Sequence, residues 1–262
     1  MQYFTDQQKQ DVNNEVKLVC DAYQIFSQTT SSFIHVVKPF GFFVDEPEAK
    51  AYLVLEYCSK GDLFKFIEDM KKAGTEMIIE RAWHIISQIG LTLAQLHSQK
   101  IIHGDLKPSN ILFTDDFQVK ICDFGSARQL NKGKSYTQHR GGTRLYMAPE
   151  LQQNPQEYQQ IKRQRFSADI WSFGVMLFEL LAHTHPFSNN GIYEQDFEIM
   201  HRIMTENPDE LPTHYPENMR SLIMRMLIKD PDQRIKAEEI IQDPEVKSRI
   251  QGQNQDVQKK SG

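Results

Sequence analysis

Residues 101–125 read IIHGDLKPSNILFTDDFQVKICDFG, and this stretch organises the rest of the chain. Ile111–Phe113 and Val119–Ile121 lie on either side of Asp115-Asp116, which predicts two short strands joined by a turn. The polar segment HGDLKPSN, 103–110, precedes the first strand, and DFG, 123–125, follows the second. Upstream, Ala82, Ile85, Ile89, Leu93 and Leu96 recur at the spacing of an amphipathic helix. Gly61-Asp62 opens a further helix, with Leu63, Phe66, Ile67 and Met70 on one face. Residues 36–44 and 52–55, separated by Asp45-Glu46-Pro47-Glu48, predict paired strands. Thr5 and Gln8 fit a capping box, and Val12, Val16, Val19 and Tyr23 then follow at helical spacing. Downstream, the periodicity is helical from about Phe166, and IWSFGVMLFELL is apolar nearly all round, which predicts a buried central helix. Residues 251–262 are polar and aperiodic and are expected to fray. The pattern describes a small strand-bearing amino-terminal part and a larger helical part.

Bulk properties narrow the class. The chain has 262 residues, 39% hydrophobic and 25% charged, which suits a folded globular protein and argues against wholesale disorder. A net charge of −5 with interspersed signs argues against nucleic acid as a partner, since phosphate binding favours a basic excess. Cys20, Cys58 and Cys122 are odd in number and widely spaced, so they read as thiols in a reducing compartment rather than a disulfide or zinc framework. MQYFTDQQKQ lacks the basic and apolar regions of a signal peptide, and the longest apolar stretch, 170–181, is too short to span a bilayer and contains Glu179. No membrane insertion is expected, and the location is expected to be intracellular, cytoplasmic or nuclear.

HGDLKPSN at 103–110, DFG at 123–125 and APE at 148–150 occur in the order and local context of a known motif set. From Glu15 to about Ile250 the chain resembles the eukaryotic-type protein kinase family, Ser/Thr class. The resemblance implies an α+β, bilobal kinase-like fold: a truncated small β lobe over 1–57, a large mainly helical lobe over 58–250, and a polar tail over 251–262. It implies ATP and Mg²⁺ as cofactors and Ser/Thr of proteins as acceptors. Phosphoryl transfer needs a positioned hydroxyl, a base and metal ions rather than much covalent chemistry. In that scheme Asp105 is the base, Lys107 faces the transferred phosphate, and Asn110 and Asp123 supply hard oxygen ligands to Mg²⁺.

Further positions follow from the resemblance. Leu55 in YLVLEYCSKGDL would be the gatekeeper, the backbone at Glu56 and Cys58 would hold the adenine edge, and Leu112 would lie beneath the ring. Asp62 matches an acidic residue near the ribose and equally fits a helix N-cap. Asp169 resembles the residue that ties down the catalytic loop through its backbone. Arg234 matches the partner of Glu150, and His103 and Phe124 match a stacked column between the lobes. Lys107 and Thr143, in GGTRLYMAPE, fit the Ser/Thr class because the two side chains can bracket a short hydroxyl beside Asp105.

The chain departs from the family pattern at two places. The family's His-Arg-Asp is His103-Gly104-Asp105, which removes the side chain that would receive an activation-loop phosphate on Ser135, Tyr136 or Thr137. No glycine precedes Gly41, and Lys9 alone precedes Glu15 among lysines, so residues 1–40 carry neither the Gly-rich phosphate lid nor the strand Lys that would pair with Glu15. Apolar surface on residues 12–23 and 36–55 is therefore expected to be exposed. Residues 151–164 read as a surface insertion. The preserved residues favour Ser/Thr phosphotransfer. The departures fit two alternatives, a pseudokinase-like scaffold that binds nucleotide or partners without turnover, and a fragment of a longer active kinase.

Overall fold

The computed structural model describes residues 6–29, 34–130, 134, 136–138, 143–152, 163–188 and 195–260. Helix α1, Asp6–Thr29, begins one residue after Thr5 and buries Val19 and Ala22. Strands β1, Pro39–Asp45, and β2, Lys50–Leu55, pair antiparallel across a four-residue turn that ends at Ala49 with φ 50°. Phe43 and Tyr52 stack on this ribbon at 4.8 Å, yet they remain 55% and 40% exposed, and Phe40 and Val54 are also exposed.

Helix α2, Leu63–Ala73, and helix α3, Ile79–Ser98, start where the apolar periodicity places them. Asp62 caps α2, its Oδ1 accepting from the Lys65 amide at 2.7 Å, and Gly74 closes the helix at φ 62°. Six short strands follow among the described residues. Strand β3, Ile101–Ile102, pairs with β6, Arg128–Gln129, and β4, Ile111–Phe113, pairs with β5, Val119–Ile121. β7, Thr137–Gln138, pairs with β8, Arg163–Gln164. The β4–β5 hairpin is joined to the amino-terminal part by Val37 N to Ile121 O at 3.0 Å and Ile121 N to His35 O at 2.8 Å.

Helix α4, Phe166–Ala182, is the axis of the helical part, with twelve of its residues buried, Trp171, Phe173 and Phe178 among them. At Gly174 the backbone of α4 passes so close to α6, Glu217–Met226, that a Cβ would lie 2.8 Å from Met226 Cβ and 3.0 Å from a Leu227 methyl. No larger residue fits there without moving one helix. Helices α5, Asp196–Thr205, and α7, Ala237–Ile240, complete this part with α8, Pro244–Lys260. Residues 251–260, expected to fray, instead continue α8. The helix is anchored at its start by Val246, fully buried, and by Arg249, which bonds Glu245 and Glu80, so its polar end extends an already nucleated helix. Among the described residues no helix is long and apolar enough to cross a membrane. Residues 153–162, most of the expected surface insertion, and the side chain of Glu15 lie outside the described residues.

Candidate active site

Asp105 lies on the loop between β3 and β4, and its carboxylate is held from two directions. Oδ1 accepts from the Thr143 amide at 2.8 Å and the Thr143 hydroxyl at 2.9 Å, while Oδ2 accepts from Lys107 Nζ at 2.7 Å. Lys107 Nζ also donates to Thr143 Oγ1 at 3.0 Å, closing a triangle of three side chains. Burial pushes the Asp105 carboxyl up, but the bonds from Lys107 and Thr143 outweigh it and hold the group below the usual Asp range. Asp105 is therefore a carboxylate at neutral pH.

The loop itself is fixed from beneath. Asp169, on the first turn of α4, accepts from the His103 amide at 2.9 Å and from the Gly104 amide at 2.9 Å. His97, at the end of α3, meets the same carboxylate at 2.9 Å. Burial raises the Asp169 carboxyl, and the bond from His97 leads the group of contacts that bring it below its ordinary value. Gly104 sits at φ 82°, which a glycine adopts without the strain an L side chain would meet. His103 meets Phe124 edge-on at 5.0 Å and bonds the Cys122 carbonyl at 3.1 Å.

Asn110 and Asp123 face the same region from the two ends of the β4–β5 hairpin. Asn110 Nδ2 donates to the Asp105 carbonyl at 2.8 Å, which leaves its Oδ1 as the atom that could ligate a cation. Asp123 has φ 61°, an uncommon conformation for a non-glycine residue and one that clusters at functional sites. Among the described residues no three His, Cys, Asp or Glu side chains form a metal cage. A hard cation at Asp123 and Asn110 would thus complete its shell from phosphate and water.

Asp123 is also on the wall of a cavity of about 410 Å³ between β2 and the β4–β5 hairpin. Leu55 and Leu112 line it, with Val37, Ala51 and Cys122. Burial pushes the Cys122 thiol up to about 12, so it stays protonated and acts as wall rather than nucleophile. Beside the cavity, the Glu56 side chain bonds Lys120 at 2.8 Å and the Lys38 amide at 2.7 Å. The Glu56 carbonyl and the Cys58 amide enter no hydrogen bond among the described residues.

A model of the protein kinase domain matches residues 4–245 of this sequence. The chain belongs to the protein kinase family. It is 36% identical over 191 residues to the serine/threonine-protein kinase RUNKEL of Arabidopsis thaliana, covering 72% of this chain and 13% of that protein. It is 31% identical over 215 residues to the human serine/threonine-protein kinase Nek2, covering 80% of this chain and 46% of that protein. The chain therefore spans less than half the length of either relative.

In this kinase domain the residues singled out in the sequence fall into three groups. Asp105, Lys107, Asn110 and Asp123 converge on one region, as do Thr143 and Asp169. Leu55 and Leu112 share the adjoining cavity. Glu56, Cys58 and Asp62 do not line that cavity: Glu56 and Cys58 offer only backbone groups, and Asp62 has one oxygen committed to capping α2. Arg234 reaches Glu150 with both terminal guanidinium nitrogens, at 2.8 and 2.9 Å, from a side chain with no exposure, and it also bonds the Ser167, Ile228 and Lys229 carbonyls.

Three contributors were missed in the sequence. His97 lies on the buried face of α3 and its spacing from Leu93 could have suggested burial, though not its partner Asp169. Lys120 is 5% exposed within a strand, where a lysine signals a buried acidic partner. Tyr146 donates to Glu179 at 2.7 Å, a pair that no local pattern announces.

Proposed function

We propose that this kinase domain transfers the terminal phosphoryl group of ATP to Ser or Thr hydroxyls of proteins. The reading rests on the Asp105–Lys107–Thr143 triangle, with Asn110 and Asp123 beside it. Mg²⁺, when bound, would neutralise phosphate oxygens and bridge the nucleotide to Asp123 and Asn110. Asp105 takes the hydroxyl proton as the acceptor oxygen bonds to phosphorus and the bond to the leaving ADP oxygen breaks. Lys107 places a positive charge against the transferring group, and Thr143 confines the acceptor to a short side chain. Asp169, through the amides of His103 and Gly104, keeps Asp105 in position. The cavity lined by Leu55 and Leu112 would take adenine, with the open Glu56 carbonyl and Cys58 amide as the polar edge. Asp62 retains one oxygen for the ribose.

A second reading, a scaffold that binds nucleotide or partners without turnover, is favoured by Gly104, which stands where the family's His-Arg-Asp carries its arginine. Labelled-phosphate transfer to generic Ser/Thr substrates, run with Asp105→Asn, separates the two. Transfer abolished by Asp105→Asn supports the kinase reading. Mg²⁺-dependent ATP binding without any Asp105-dependent transfer supports the scaffold.

A further inference from the structure

A second cavity, of about 440 Å³, opens where the end of α3 meets the start of α4 and the segment before α7. It shares no lining residue with the cavity between β2 and the β4–β5 hairpin. Its size falls within the roughly 300–1,000 Å³ common for small-molecule sites. Phe166, Ile170 and Ile235 give it apolar walls. The Phe166 ring packs against His97 at 4.8 Å, and Lys100 Nζ sits 5.7 Å from its centroid.

The charges at this cavity are uneven. Arg234 is committed to Glu150, and Arg165 to Asp232 at 2.7 Å. Lys100 and Lys236 remain, both exposed and without an ion pair among the described residues, against the single further carboxylate of Glu238. An apolar interior edged by two cations that are outside any ion pair among the described residues, one of them over the Phe166 ring, complements a compact ligand carrying one ring and one anionic group. Two of its lining residues also hold the active site: His97 bonds Asp169, which takes the catalytic-loop amides, and Arg234 grips Glu150.

We propose that this cavity binds a small aromatic anion, its ring against Phe166 and its charge met by Lys100 and Lys236, and that the bound anion steadies the catalytic loop through His97. A ring packed beside the His97 imidazole restricts it one hydrogen bond away from Asp169. Binding and catalytic-loop order are then coupled, and each strengthens the other. The inference stands apart from the phosphotransfer reading, because neither the cavity nor its readout needs turnover.

The test is calorimetric titration of the 262-residue chain with phenyl phosphate, alongside inorganic phosphate, with amide hydrogen exchange followed at saturation. Saturable binding of phenyl phosphate is expected, at least tenfold tighter than inorganic phosphate. Lys100→Gln with Lys236→Gln should weaken it at least tenfold, and both positions are exposed, so the fold should survive. Asp123→Asn should leave it intact. Exchange of the His103 and Gly104 amides should slow. The proposal is overturned by no saturable binding, by equal binding of inorganic phosphate (an adventitious ion only), or by indifference to the two lysine changes. Loss of binding in Asp123→Asn, binding of an acidic peptide in place of phenyl phosphate, or unchanged exchange at 103 and 104 would overturn it equally.

Discussion

Glu179 makes the fold sensitive to pH in a direction opposite to that of most carboxylates. It lies on α4 at a cavity beside α2 and the catalytic loop, with Tyr146 as its hydrogen-bond donor. Burial pushes its carboxyl up from 4.5 to about 7, against the opposing Tyr146 bond and the attraction of Lys71. His183 and His185 also line the cavity, with Glu68 at its rim. The unfolded chain releases this proton near the ordinary value, and the folded chain holds it until about 7. The folded state therefore binds more protons between those limits, and stability falls as pH rises through them and levels off above. The full difference corresponds to about 3 kcal/mol. Glu179→Gln removes the titration and keeps an oxygen to accept from Tyr146. Urea unfolding of both proteins should show the variant near wild type at pH 4.5 and more stable by up to about 3 kcal/mol at pH 8. The comparison cancels every other titrating group. Equal gaps between variant and wild type at the two pH values, or a variant less stable at pH 8, would refute the argument from burial.

Glu150→Ala should destabilise the domain by about 3–5 kcal/mol, because it leaves the fully buried Arg234 guanidinium unpaired. The same change in an Arg234→Met background should cost markedly less, and additive effects in that double-mutant cycle would show that the pair is not coupled. In thermal-shift titrations with ATP and Mg²⁺, Asp123→Asn should lose more Mg²⁺-dependent stabilisation than Asn110→Ala, since an anionic carboxylate holds the ion better than an amide; the reverse order would contradict it. Replacing Ser135, Tyr136 and Thr137 together with Ala or Phe should change any turnover less than tenfold, or about 1.4 kcal/mol in the barrier, because Gly104 offers no group to receive a phosphate. Loss of turnover by a folded triple variant would show that another cation receives it.

Much of the architecture is legible locally. Ile111–Phe113 and Val119–Ile121 form the predicted hairpin, α2 starts beside its Asp62 cap, and the apolar run within α4 is buried on nearly every side. Each of these rests on neighbours within a few residues, where spacing and capping chemistry act directly. The tail was misread for the same reason in reverse. Residues 251–260 have no apolar stripe, and their helix depends on Val246 and Arg249 packing against α3, a contact between segments far apart in sequence.

The motif residues, their order and their chemical types were all present in residues 103–150, and with them the family. The site required the fold. Thr143 reaches Asp105 across 38 residues, His97 reaches Asp169 across 72, and Arg234 reaches Glu150 across 84. Such pairs leave no mark on local periodicity, because their partners are set by how helices pack around α4. The approach of α4 to α6 at Gly174 belongs to that packing. Tertiary structure likewise decided that Glu56 turns its side chain to Lys120, 64 residues away. A one-dimensional pattern reports which groups are available; the burial of α4 and the hydrogen bonds radiating from it decide which of them meet.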